Sequence, residues 1–292
     1  MKHLPVFAAA LALLAACNKS EAPCATYSPD LIVLGADGLF NADVVTKVSE
    51  VTSLNDFYVT VTKGTVDSET TVWDNVHFTD TGSTPTTYTG GKYWPIQDLS
   101  YHFYAANVPM LAATAKGSKI SATNDTDIVS THIKFPAFKN KNTLVFEHIF
   151  ARIGNVIVTP AEGYTITDLS ISITPNTGGI YDIRQGYVQS GTTGWSDIVT
   201  GSPVVISSST CPSTNNADLY LVPGTYTLTA SWKAKRDEYE RTYTNKTVTV
   251  TLQKNYINHI NAVLGGDAAA ITMNVLFNEW NTNTVNATFP VS

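Results

Sequence analysis

The sequence predicts an all-β protein of many short strands, and three observations carry that prediction. Apolar and polar residues alternate with period 2 in short runs along the whole chain. Composition favours strands, with 41 Thr, abundant Val and aromatics, and only 3 Met. Turn chemistry separates the runs, at Lys63-Gly64, Thr81-Gly82-Ser83, Gly90-Gly91, Asn176-Thr177-Gly178-Gly179 and Val222-Pro223-Gly224. No stretch longer than ten residues combines a 3.6-residue period with caps.

With 43% hydrophobic residues, 14 Tyr, 11 Phe and 5 Trp, the chain can build a packed core, which excludes wholesale disorder. Charged residues make up 14%, against about 25% in ordinary soluble domains, so hydroxyls and amides carry the polarity. A net charge of −6 gives no electrostatic footprint for nucleic acid, which is excluded as a partner. The 292 residues suggest two domains.

In chain order, Lys2 and His3 precede an apolar run from Leu4 to Ala16, too short for a permanent bilayer span. This is read as a signal peptide, residues 1–16. Leu14-Ala15-Ala16-Cys17 resembles a bacterial lipobox. That predicts cleavage before Cys17 and acylation of its thiol, palmitate included, so that buried methylenes hold the chain to a membrane. A lipidated tether follows over 17–30, with Pro23 and Pro29. Cys24 and Cys211 either pair as a disulfide or remain two thiols; their spacing shows no metal pattern.

Strands are expected at 56–62, 70–78, 100–106, 153–159, 165–174, 225–232, 242–252 and 271–277. A short helix is expected at 107–115. The mixed-sign cluster Lys233 to Arg241 reads as the solvated end of a hairpin. A Lys/Asn-rich segment, Phe138-Lys139-Asn140-Lys141-Asn142, marks a boundary between an N-terminal domain, 31–140, and a C-terminal domain, 141–292.

No catalytic or metal motif stands out. The six His do not pair at ligand spacing, and there is no nucleophile elbow, phosphate loop or dinucleotide fingerprint. Asn124-Asp125-Thr126-Asp127 lacks the glycine and distal Glu of a calcium loop and reads as an Asx-rich turn. No catalytic, metal or cofactor-binding residue is assigned, no cofactor is expected, and the chain is not read as an enzyme. The rings of Tyr93-Trp94 and Tyr101 to Tyr104 fit core packing better than a carbohydrate platform, because alternation turns half of them inward. His148 reads as a satisfied histidine.

Several segments in order carry a family resemblance: the lipobox, Val51 to Thr60, Tyr93-Trp94-Pro95 with Leu99 to Ala106, Leu144 to Ile153 with its Phe-x-His-x-x-Ala-Arg-Ile pattern, and a strand ending Glu279-Trp280. This order resembles the fimbrillins, lipid-anchored precursors of outer-membrane fimbriae. The resemblance implies two tandem transthyretin-like β-sandwich domains and a cell-surface structural or adhesive subunit, travelling as an outer-membrane lipoprotein. It also implies assembly by strand exchange: proteolysis removes an N-terminal strand, here within about Leu31 to Val48, and another subunit's strand refills the groove. The C-terminal run Thr284, Val285, Ala287, Phe289, Val291 is the candidate donor. Well-known members are cut after an Arg in the early strand. Here no Arg precedes Arg152, so Lys47 is the candidate cleavage site, or the leader stays and the subunit is an anchor. Implied partners are other fimbrial subunits, the outer membrane through the lipid, and a host or bacterial surface ligand. The alternative is a non-polymerising surface lipoprotein that binds glycans, with Trp94 and Trp195 as its rings.

Overall fold

The computed structural model describes residues 31–38, 54, 56–64, 69–80, 87–93, 101–111, 118–135, 142–188, 194–208, 211–265, 272–278 and 284–288. Among these are nineteen strands and one six-residue helix, so the all-β class holds. All eight runs expected from alternation fall on strands. Cys17, Cys24, Lys47, Trp94, Phe289 and Val291 lie outside the described residues.

Seven strands form one closed sheet, ordered β1-β4-β3-β2-β5-β7-β8. They are β1 (Leu31–Gly38), β2 (Asp56–Lys63), β3 (Thr70–Asp80), β4 (Thr87–Tyr93), β5 (Tyr101–Ala106), β7 (Val129–Phe135) and β8 (Asn142–His148). Phe57, Val59 and Val61 of β2, Phe103 of β5, and Leu144 and Phe146 of β8 fill the inside. Strand β8 lies beyond the expected boundary at 140/141, yet it pairs with β7 and β1 inside this barrel.

The second half is a two-layer sandwich. One layer orders β14 (Ser213–Leu221), β9 (Ala151–Pro160), β17 (Ile257–Leu264), β18 (Thr272–Asn278) and β19 (Thr284–Thr288) side by side. The other orders β13 (Val204–Ser207), β10 (Thr165–Ile173), β15 (Gly224–Arg236) and β16 (Tyr239–Leu252). Between them sit Ile153, Val158, Ile171, Leu228 and Trp232, all essentially fully buried. The Trp232 indole N–H donates to the Gly265 carbonyl at 3.2 Å, which gives its polar atom a partner inside the core.

A third sheet joins the halves: β6 (Lys119–Thr123), β11 (Asn176–Asp182) and β12 (Trp195–Thr200), ordered β12-β11-β6. Strand β6 comes from the first half and pairs with β11 from the second. A third core forms here, from Tyr104 and Ala106 of β5, Ile120 and Ala122 of β6, Tyr181 of β11 and Phe150. Strand β5 is therefore buried on both faces: Tyr101, Phe103 and Ala105 toward the barrel, Tyr104 and Ala106 toward this joint.

Three local expectations are corrected. Gly90-Gly91 and Asn176 to Gly179 are not turns; they lie in β4 and β11. Crowding explains this. A Cβ on Gly90 would sit 2.7 Å from the Phe78 ring, and one on Gly178 would strike the Ala122 carbonyl oxygen of β6. The strand chain passes too close for any side chain. The expected helix at 107–115 is also not formed over Asn107–Leu111. Asn75 takes up the backbone there: its amide nitrogen donates to the Met110 carbonyl at 2.6 Å, and its side-chain oxygen accepts the Met110 N–H at 2.9 Å. The helix that does form, α1 (Ile183–Val188), starts at Asp182, whose carboxylate accepts the N–H groups of Arg184 and Gln185.

Alternation breaks at five places where Asn or Asp takes positive φ inside or beside a strand: Asn75, Asp168, Asp197, Asp218 and Asn245. At several the consequence is visible. Trp73 and Phe78 are five apart and should face opposite sides, but both are buried in the barrel with Asn75 between them. Ile166 and Leu169 flank Asp168 likewise, as Tyr243 and Val248 flank Asn245. An extra residue in left-handed conformation switches the face, and Asn and Asp tolerate that conformation best.

Candidate functional site

The N-terminal strand β1 has neighbours on both sides. It runs antiparallel to β4, with Leu34 opposite Tyr88, and parallel to β8, with Leu34 opposite Asn142 and Gly38 opposite Phe146. It is the piece that closes the barrel. Strands sit about 4.8 Å apart, so without β1 the edges of β4 and β8 would stand roughly 9.6 Å apart. That is too far to pair directly and wide enough for one strand. The N–H and C=O groups on both walls would then face an empty slot.

At the opposite end of the chain, β19 contains Thr284, Val285 and Ala287 of the candidate donor run. Among the described residues it pairs on one side only, with β18, with Val285 opposite Val275 and Ala287 opposite Met273. The expected donor is thus an edge strand, held by a single ladder. Phe289 and Val291 fall outside the described residues.

The Phe-x-His-x-x-Ala-Arg-Ile segment threads all three cores. Phe146 packs in the barrel. The His148 ring meets the buried Asp127 carboxylate at 2.9 Å, and its backbone N–H donates to Asn255 at 3.1 Å. Ile149 and Phe150 enter the joint, and Ala151 and Ile153 enter the sandwich. Between them the Arg152 Nε donates to Asp218 at 2.8 Å, with both side chains buried and the guanidinium over the Tyr220 ring. The motif is the structural pin between the halves, and His148 is a satisfied histidine.

Other sequence candidates resolve similarly. The Asn124 to Asp127 loop reaches the second half through Asn124, which donates to the Tyr220 carbonyl, while Asp127 meets His148 at the end of β8. Among the described residues no group of three or more His, Cys, Asp or Glu is placed to hold a metal. Tyr101, Phe103 and Tyr104 are fully buried in the core, and Trp195, partly buried, packs on Phe150 and Tyr181. Asp237 and Glu238 make the turn between β15 and β16, as the mixed-sign cluster suggested. Cys211 is partly buried, and its thiol lies 3.5 Å from the Val158 carbonyl.

A family model described as fimbrillin-like matches residues 46–280. The chain belongs to the fimbrillin-like family. The match begins after β1 and ends before β19. A fimbrial protein from Bacteroides vulgatus shares the fold, with a TM-score of 0.53 at 15% identity over 85% of this chain and 99% of its own. A fimbrial assembly protein from Parabacteroides distasonis aligns over 88% of this chain and 99% of its own, with 10% identity and a TM-score of 0.43. No curated protein matches the chain.

This fimbrillin-like chain also carries a buried polar cluster that sequence reading missed. Glu69, just before β3, accepts from Thr62 at 2.7 Å and from Tyr104 at 3.0 Å, and α1 brings Arg184 to 3.3 Å. His102 and His132 stack beside it, with ring nitrogens 3.0 Å apart. Their strands are neighbours, but the partners are 30 residues apart, so no local spacing announces them. The cluster ties the first half to the second through one carboxylate and one guanidinium.

Burial pushes the His132 imidazole down to about 4, reinforced by repulsion from His102 and Arg184. His102 is lowered too, chiefly by burial, with Glu69 opposing and Lys134 and Arg184 adding to the shift. An unfolded histidine titrates near 6.5, so the unfolded state binds more protons below that pH. The contribution of these histidines to stability is therefore full above about pH 6.5 and falls as pH drops from there toward about 4. In His132→Gln this acid-side loss is expected to shrink. Thermal midpoints of both proteins from pH 7 to about 4 check it, and parallel curves would refute it.

Proposed function

We propose that this protein is a structural or adhesive subunit of an outer-membrane fimbrium that polymerises by strand exchange. The observation that carries the reading is the position of β1, an N-terminal strand paired on both sides whose loss leaves a one-strand slot between β4 and β8. The family and the fold shared with a fimbrial protein support the same assignment. In this reading the precursor is lipidated at Cys17 and cut near Lys47. The freed slot then accepts an alternating strand from another subunit, such as the Thr284 to Val291 run. That run has no charged residue, and its alternation suits a site with an apolar inner face. Ladder bonds supply strength, and alternate side chains fix the register. No catalytic step is assigned.

The protein recovered from sheared filaments tests this. Its N-terminus is expected near Val48, and Lys47→Ala is expected to hold the chain in the lipidated precursor form and deplete it from filaments. A filament-borne chain that begins at Cys17 throughout would overturn removal of β1 and make the protein a retained anchor.

A further inference from the structure

The described residues include six large hydrophobic side chains that are exposed, and four of them fall within eight consecutive positions: Ile198, Val199, Val204 and Val205. The remaining two, Leu111 and Tyr239, are scattered singly, which is ordinary. The cluster lies on two successive strands, β12 and β13, and each is the edge of its sheet. Among the described residues, strand β12 pairs only with β11, and β13 only with β10. Edge strands are usually protected by Lys or other charges. Here Asp197 is the single charged residue from Trp195 to Ser207.

We propose that the β12–β13 edge is a self-association surface, at which two copies of this chain meet by antiparallel strand pairing about a two-fold axis. The occupant follows from charge and shape. The chain carries a net charge of −6, so two copies repel over most of their surfaces. This strip offers almost no like charge, and its β-branched side chains suit cross-strand contact. A two-fold axis lays the strip against its own copy, so each open edge supplies what the other lacks. Subunits held side by side along filaments would meet at high local concentration, which favours a contact of modest area. The surface is separate from the β4/β8 slot, and it is available while β1 is still in place.

The test uses the uncut chain with Cys17→Ala, in which β1 fills the slot and no lipid contributes. Sedimentation velocity across a concentration series is expected to show a monomer–dimer equilibrium. Val199 is 56% exposed, so Val199→Lys and Val199→Glu leave the core untouched, and circular dichroism verifies the fold. Each variant by itself is expected to weaken dimerisation by about tenfold or more through like-charge repulsion. Mixed together they are expected to associate again, because Lys on one edge then faces Glu on the other. A wild-type chain that stays monomeric overturns the proposal, as does a dimer that neither variant weakens, or a mixture that fails to recover. None of these outcomes bears on strand exchange, which the filament N-terminus reads separately.

Discussion

Arg152→Ala is expected to destabilise the protein by about 3–5 kcal/mol, because it removes the charged partner of a buried carboxylate and opens the packing around it. The Arg152 Nε donates to Asp218 at 2.8 Å, and each side chain is only 5% exposed. Several features hold the arginine in one geometry. Its backbone N–H donates to Tyr256, its carbonyl accepts from Asn258, and its guanidinium lies over Tyr220. A loss of this size corresponds to a fall in melting temperature of roughly 10 °C for a domain of this size. Thermal unfolding followed by circular dichroism reads it. The double variant Arg152→Ala/Asp218→Ala should recover part of the loss, since it removes the buried carboxylate along with the arginine that offsets its charge. If Arg152→Ala shifts the midpoint by only a degree or two, the ion pair is not a main anchor of this segment in the sandwich half.

The second large effect concerns β1. Leu34→Pro places a residue without an N–H in a strand that is paired on both sides, and proline is found in sheets only at edges and bulges. The expected cost is about 1–3 kcal/mol for the lost ladder bond and its stranded acceptor. Because β1 closes the barrel, that cost should fall on its lodging in the slot and leave the sandwich half folded. The variant should then take up a synthetic peptide, Thr-Val-Asn-Ala-Thr-Phe-Pro-Val, copied from Thr284 to Val291, while the wild-type uncut chain does not. Fluorescence anisotropy of a labelled peptide measures this. Equal peptide binding by both chains, or by neither, would remove the slot as the acceptor site.

Much of the architecture was legible in the residues. Period-2 alternation is a local signal, and it located β2, β3, β5, β9, β10, β15, β16 and β18. The hairpin tip at Asp237-Glu238 showed itself by charge, whereas parity turned only half of Tyr101 to Tyr104 inward and the joint buries the other half as well. The signal failed where tertiary contacts outweighed local preference. Glycine pairs that read as turns became strand, because β4 and β11 pass against a ring and a carbonyl. Left-handed Asn and Asp residues reversed the alternation in mid-strand. The candidate slot was legible only in outline: an early removable strand was expected from family resemblance, and nothing in its residues names β4 and β8 as neighbours.

By itself the sequence determined the strand class, the composition of the cores and the segments able to form strands, because side-chain alternation and turn chemistry act within a few residues. Tertiary structure decided which strands pair. It placed β1 parallel to β8 across more than a hundred residues, brought Arg184 to Glu69 and His102 to His132, and put β12 and β13 at the ends of their described sheets. Backbone hydrogen bonds in a sheet are the same for every residue type, so the choice of neighbour rests on packing contacts summed over distant parts of the chain.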